Sequence, residues 1–201
     1  MSTRVIRISE YISTSGQGFD DVEPWEIGSI IAGRIAKWIS GLGDGFHIKG
    51  DIAIHRSARI EDYVTLKGPL IISEDCFIAA HAYLRGGVFL GKGVSIGPGC
   101  EVKSSWLFER SALAHFNFIG DSLIGSGVNF EAGSIVANHF NEREDKQIFV
   151  SVDGNRYPTG ATKFGALVGD GSRIGANAVL SPGSILKPKS IVGRLALVGP
   201  A

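Results

Sequence analysis

FIAAHAYLRGGVFLGKGVSIGPGCEV, residues 77–102, places Ile78, Leu84, Leu90, Ile96 and Val102 six residues apart. The same step runs backwards through Ile72, Leu66, Ile60 and Ile54 to Ile48. Forwards, with occasional steps of five, it passes Leu107, Leu113, Ile119, Ile124, Phe130 and Val136, then resumes at Val168, Ile174, Leu180, Leu186 and Val192. Four residues after many of these comes a second, mostly small residue: Ala58, Cys76, Ala82, Cys100, Ser134, Ser172, Ala178 and Ser184 among them. A period of six fits neither a helix near 3.6 nor simple strand alternation. It fits a parallel β-helix, in which each hexapeptide is a short strand plus a turn and neighbouring units stack to bury a continuous core.

Composition agrees with a folded β-rich chain. There are 201 residues and 28 glycines, so many tight turns are expected. Lys+Arg and Asp+Glu both number 20, and that balance argues against nucleic acid and membrane surfaces as partners. Cys76 and Cys100 supply neither a disulfide framework nor a metal-ligand cluster, so no metal is expected. Both fall on the small inward position, where packing is the expected role. MSTRVIRISE has no uninterrupted apolar run, and a cytoplasmic location is the expectation.

The N-terminal segment, residues 1–46, contains PWEIGSIIAGRIAKWISGLG, which reads as one amphipathic helix with Pro24 in its first turn. Ile27, Ile30, Ile31, Ile35, Trp38, Ile39 and Leu42 line one face. Capping the open end of the β-helix, or packing on a partner subunit, is the role expected of it. The β-helix domain is expected over residues 47–201, with an insertion at 139–163. Within the insertion, IFVSV-DG-NRY predicts a hairpin turning at Asp153-Gly154. So long an insertion at one corner of a solenoid is a candidate ligand loop.

The hexapeptide spacing resembles that of the hexapeptide-repeat transferases. The resemblance implies an all-β fold: a left-handed parallel β-helix of triangular section, with three hexapeptides per coil. The 21 units then make about seven coils. Residues eighteen apart would stack at the strand separation of about 4.8 Å. Lys49, Lys67, Arg85 and Lys103 would form such a ladder, which stops where Gly120 and Ala137 follow. A solvated face is expected for Lys49 and Lys67. Arg85 and Lys103 are candidates for phosphate recognition, the first a planar fork and the second a point charge.

AHFNFIGDSLIGSGVNFEAGSIVAN, residues 114–138, puts Asn117 on the small inward position and leaves His115, Asn129 and Asn138 off both inward positions. With Arg85 and Lys103 before it and KFGALVGDGSRIGAN after it, this run resembles the C-terminal β-helix of bifunctional sugar-1-phosphate nucleotidylyltransferase/acetyltransferases. The resemblance implies His115 as catalytic base and Arg85 and Lys103 as the cations on the sugar phosphate. It implies Asn129 on the sugar, Asn138 at the acetyl end, and Lys163 as a further substrate-binding lysine. Ala176 would meet the CoA chain through its backbone. It also implies a homotrimer with sites in the crevices between subunits. Two positions depart from the family pattern: Phe118 and His139 stand where tyrosines are expected.

The activity so implied is transfer of an acyl group, acetyl first of all, from acyl-CoA to the amine of a sugar phosphate or nucleotide-linked amino sugar. Imidazole suits the base because it titrates near neutrality. No LxAGxGxR-type segment is present, so nucleotidyl transfer is not expected of this polypeptide. A zinc site of the carbonic anhydrase kind needs an H-x4-H spacing, and Gly120 stands five residues after His115. The competing reading is a non-catalytic trimeric β-helix that binds a nucleotide sugar or scaffolds a separate nucleotidyltransferase. Acetyl-CoA binding distinguishes the two.

Overall fold

The computed structural model describes residues 4–13, 19 and 21–200; residues 1–3, the start of the MSTRVIRISE stretch, lie outside it, as does Ala201. From Ile52 to Val198 the chain winds a left-handed parallel β-helix with three faces. The first face is a sheet of 7 strands, from Arg59–Ile60 to Ile191–Val192. Strands of the second face run from Thr65–Lys67 to Leu197–Val198, and those of the third from Ile52–His55 to Ser184–Leu186. The repeat aliphatics fill the interior as one column per face, with Cys76, Ala82, Cys100 and Ala178 in the gaps between columns. Ser134, Ser172 and Ser184 are buried there too, their hydroxyls donating to backbone carbonyls at the corners.

One hexapeptide departs from the expected count. Phe46–Lys49 pairs antiparallel with Ile52–His55, and Ile48 is 46% exposed, so the first unit of the series is not a coil strand. Val198, paired above Leu180, supplies the twenty-first unit at the other end.

The third face differs from the others in its outward residues. Ala53, Ile71, Phe89, Trp106, Leu123, Leu167 and Ile185 stack in register up its outer surface. An apolar ladder cannot face water without cost, and the N-terminal segment covers it. The helix α1, Ile27–Ile39, buries Ile27, Ile31, Ile35 and Ile39, and a 3-10 turn at Pro24–Glu26 precedes it. Its apolar stripe is the expected one, but its place is not: it lies along the flank of the third face instead of capping the open end. Ile6, Ile8 and Ile12 continue the cover, and Glu23 accepts the N–H groups of Val5 and Ile6.

The insertion folds as expected. Phe149–Val152 and Asn155–Pro158 pair antiparallel, with positive φ at both Asp153 and Gly154, the geometry of a two-residue hairpin turn. Ile148, Val150 and Phe164 pack against the same third face, so the hairpin is anchored.

Burial pushes the Cys76 thiol up to about 11 and raises Cys100 as well. Native protein at pH 8 is therefore expected to resist an aromatic disulfide reagent at both positions, and to react at both once unfolded in guanidinium. Rapid labelling of the native chain would contradict this packing.

No described helix is long and apolar enough to cross a membrane.

Candidate active site

The outer edge of the second face gathers most of the predicted polar residues. Lys67, Arg85 and Lys103 are in register, one coil apart, and Gly120 follows above them. Lys49 is not on this ladder, because its strand runs antiparallel and places it opposite Ile52. The two upper cations are already paired within the chain. Arg85 meets Glu101 at 2.6 Å and also lies over the Tyr83 ring. Lys103 Nζ donates to Asp121 Oδ2 at 2.8 Å. The repulsion between the two upper rungs is thus offset by a carboxylate each, while Lys67 lies over the Tyr83 ring.

Asp121 is the residue that sequence reasoning missed. It is 3% exposed, has φ of +47°, and accepts from both Lys103 and the Asn138 amide. Removing Lys103 would strand a buried charge, whereas removing the Asn138 amide would cost it one hydrogen bond. Gly120 makes the arrangement possible: a Cβ there would lie 2.8 Å from the Asn138 amide nitrogen and 2.9 Å from the Phe118 ring. Phe118 thus forms an apolar floor beside this amide. His139, the other departure, bridges the two ends of the insertion. Its Nδ1 lies 3.2 Å from the Thr162 carbonyl, which selects the Nδ1–H tautomer and leaves Nε2 to accept from Lys146.

His115 occupies the opposite edge of the second face, at the corner shared with the first. It is exposed, and Phe116 beside it has φ of +51° and is 72% exposed. Asn117 turns inward as expected, donating to Glu131 O and to both oxygens of Ser134. Above His115 the corner column continues with Ala132 and Ala176, linked by the bonds Gly133 N–H to His115 O and Asn177 N–H to Ala132 O. Asn129 lies on the first face, between Ala112 and Arg173, exposed and away from the Lys103–Asp121–Asn138 cluster.

Both backbone groups of Ala176 are engaged within the chain. Its N–H donates to Glu131 Oε2 and its carbonyl accepts from Leu195. Arg194, then the Ala176 N–H, hold the Glu131 carboxyl down at about 2, from an ordinary value of 4.5. A depressed carboxylate stabilises the fold above its ordinary pKa, and that contribution fades as pH falls from 4.5 towards 2. Glu131→Gln is therefore expected to flatten the acid limb of a urea-midpoint profile in that window. Parallel limbs for variant and parent would contradict the pairing.

Lys163 is exposed at the rim of a cleft of about 540 Å³ that Asp121 also lines, so these two sites are contiguous. Among the described residues no three His, Cys, Asp or Glu side chains cluster as a metal site.

Residues 48–191 match the model of the family described as the GMPPB C-terminal domain. The chain belongs to this family. Among individual relatives of this GMPPB C-terminal-type domain, a bifunctional sugar-1-phosphate nucleotidylyltransferase/acetyltransferase from Sulfurisphaera tokodaii is 33% identical over 183 residues, covering 90% of this chain and 44% of that protein. The bifunctional protein GlmU of Methanococcus vannielii is 29% identical over 160 residues, or 71% of this chain and 38% of GlmU. The chain spans less than half the length of these relatives. A crystal structure of a point mutant of AntD, an N-acyltransferase from Bacillus cereus in complex with dTDP and coenzyme A, aligns over 79% of this chain and 83% of that one, with 12% identity and a TM-score of 0.40.

Proposed function

We propose that this chain transfers an acetyl group from acetyl-CoA to the amine of a sugar phosphate or nucleotide-linked amino sugar. The observation that carries the reading is the framing of one strand of the second face, Phe118–Gly120. His115 stands at one edge and the Lys103–Asp121–Asn138 cluster at the other, in a chain related to sugar-phosphate acetyltransferases. His115 takes a proton from the amine as its nitrogen adds to the thioester carbonyl. The C–N bond forms, the C–S bond breaks, and the departing thiolate takes the proton back from the imidazolium. Arg85, Lys103 and Lys163 attract the phosphate, Asn138 contacts the acetyl end, Asn129 on the first face contacts the sugar across a crevice between subunits, and the small column Ala132–Ala176 leaves room for the pantetheine chain. Assembly as a homotrimer would bring a neighbour over the exposed apolar residues of the second face, Ile135 and Leu197 among them.

One observation favours the rival reading of a non-catalytic trimer that binds a nucleotide sugar or scaffolds a separate nucleotidyltransferase. Arg85 and Lys103 already have carboxylate partners. The deciding experiment is thiol release from acetyl-CoA with glucosamine 1-phosphate and a panel of amino sugars, alongside calorimetric binding of acetyl-CoA. Turnover establishes the enzyme. Silence in both measurements moves the scaffold ahead.

A further inference from the structure

We infer that the N-terminal helix supplies part of the acceptor pocket: the cleft between its first turn and the segment 159–163 is a subsite for a sugar bearing an anionic substituent. This rests on the acyltransferase reading and adds to it a wall, Trp25 to Ser29, that lies outside the β-helix repeat.

The cleft is about 540 Å³, within the range of small-molecule sites, and is bounded by Trp25, Glu26 and Gly28 on one side and Thr162 and Lys163 on the other. Asp121 lines it. The Oδ2 atom of Asp121 is taken by Lys103 and Asn138, whereas Oδ1 accepts no hydrogen bond among the described residues. This oxygen opens to the cleft, where a sugar hydroxyl or amine can take the place of water as its donor. Across the opening, the ammonium of Lys163 has no ion pair among the described residues and suits an anionic substituent. Trp25 adds an aromatic surface with a polar handle. Gly28 is what lets the helix come so close: a Cβ there would lie 2.6 Å from Asp121 Oδ1, so any side chain would fill the space between the carboxylate and the helix.

Two measurements test this. The first is tryptophan emission during titration with glucosamine 1-phosphate. Trp38 and Trp106 pack together, ring centroids 4.9 Å apart, and neither lines the cleft. The emission change expected in the parent should therefore vanish in Trp25→Phe. The second is steady-state kinetics of Gly28→Ala, a substitution that helix propensity favours. Its KM for the acceptor is expected to rise about 10-fold or more, with KM for acetyl-CoA unmoved. If Gly28→Ala does not fold, Thr162→Val on the exposed rim takes its place, with the same split expected. Turnover with silent emission and an unmoved acceptor KM would overturn the subsite and leave the acyltransferase reading standing. Emission change without turnover would do the reverse. Neither turnover nor emission change would overturn both.

Discussion

His115→Ala is expected to lower kcat for acetyl transfer by about 10²–10⁴-fold, the usual contribution of a positioned general base. The side chain is exposed at a corner and carries none of the core. Its removal should therefore change stability by no more than about 0.5 kcal/mol. That separation makes the experiment clean, because a loss of rate cannot be blamed on a loss of fold. KM for acetyl-CoA should stay near the parent value, since the imidazole is asked to act on the amine proton and not to hold the donor. The measurement is thiol release under saturating acetyl-CoA, with thermal unfolding of the same preparations as control. A variant that keeps full activity would remove His115 from the chemistry.

How much of this was legible in the sequence differs between the inside and the outside of the solenoid. The inner columns were plain, because Ile78, Leu84, Leu90 and their successors repeat at a fixed step. The side-by-side placement of Lys67, Arg85 and Lys103 followed from the same step, but Lys49 did not, because hexapeptide spacing alone cannot distinguish a parallel coil strand from an antiparallel lead-in. The outer apolar ladder was visible in principle. In every third unit an apolar residue directly precedes the inward one: Ile71-Ile72, Phe89-Leu90, Trp106-Leu107, Leu123-Ile124 and Leu167-Val168. The same doubling recurs at Phe118-Ile119, Ile135-Val136 and Leu197-Val198 on the second face, so only its unbroken run on the third distinguishes the face that α1 covers. Asp121 gave a fainter signal, an acid just past the glycine that ends a ladder of cations. Its pairing with Lys103 depends on a left-handed φ, and at a non-glycine residue no motif signals that.

Trp106→Ala is expected to cost about 3–5 kcal/mol, as truncation of a buried tryptophan does. At about 2–4 °C per kcal/mol for a chain of this size, Tm should fall by roughly 10 °C. The indole is the centre of the flank packing. It stacks on Phe89 at 3.7 Å and meets Phe19 and Trp38 edge-on, each at 4.9 Å. Its loss would open a cavity beneath α1 and uncouple the helix from the third face. The same side chain carries a second, opposite term: Nε1 is buried with no hydrogen-bond partner among the described residues. An unpaired buried donor costs about 1–3 kcal/mol, so part of what the ring contributes is already lost. Trp106→Phe keeps an aromatic ring in the stack and removes the orphaned N–H. It should therefore cost far less than alanine, within about 1.5 kcal/mol of the parent. Thermal and urea unfolding of the two variants side by side separate the terms. Equal losses would mean that the N–H makes a bond worth keeping, and that packing alone does not explain why a tryptophan stands at this point of the ladder.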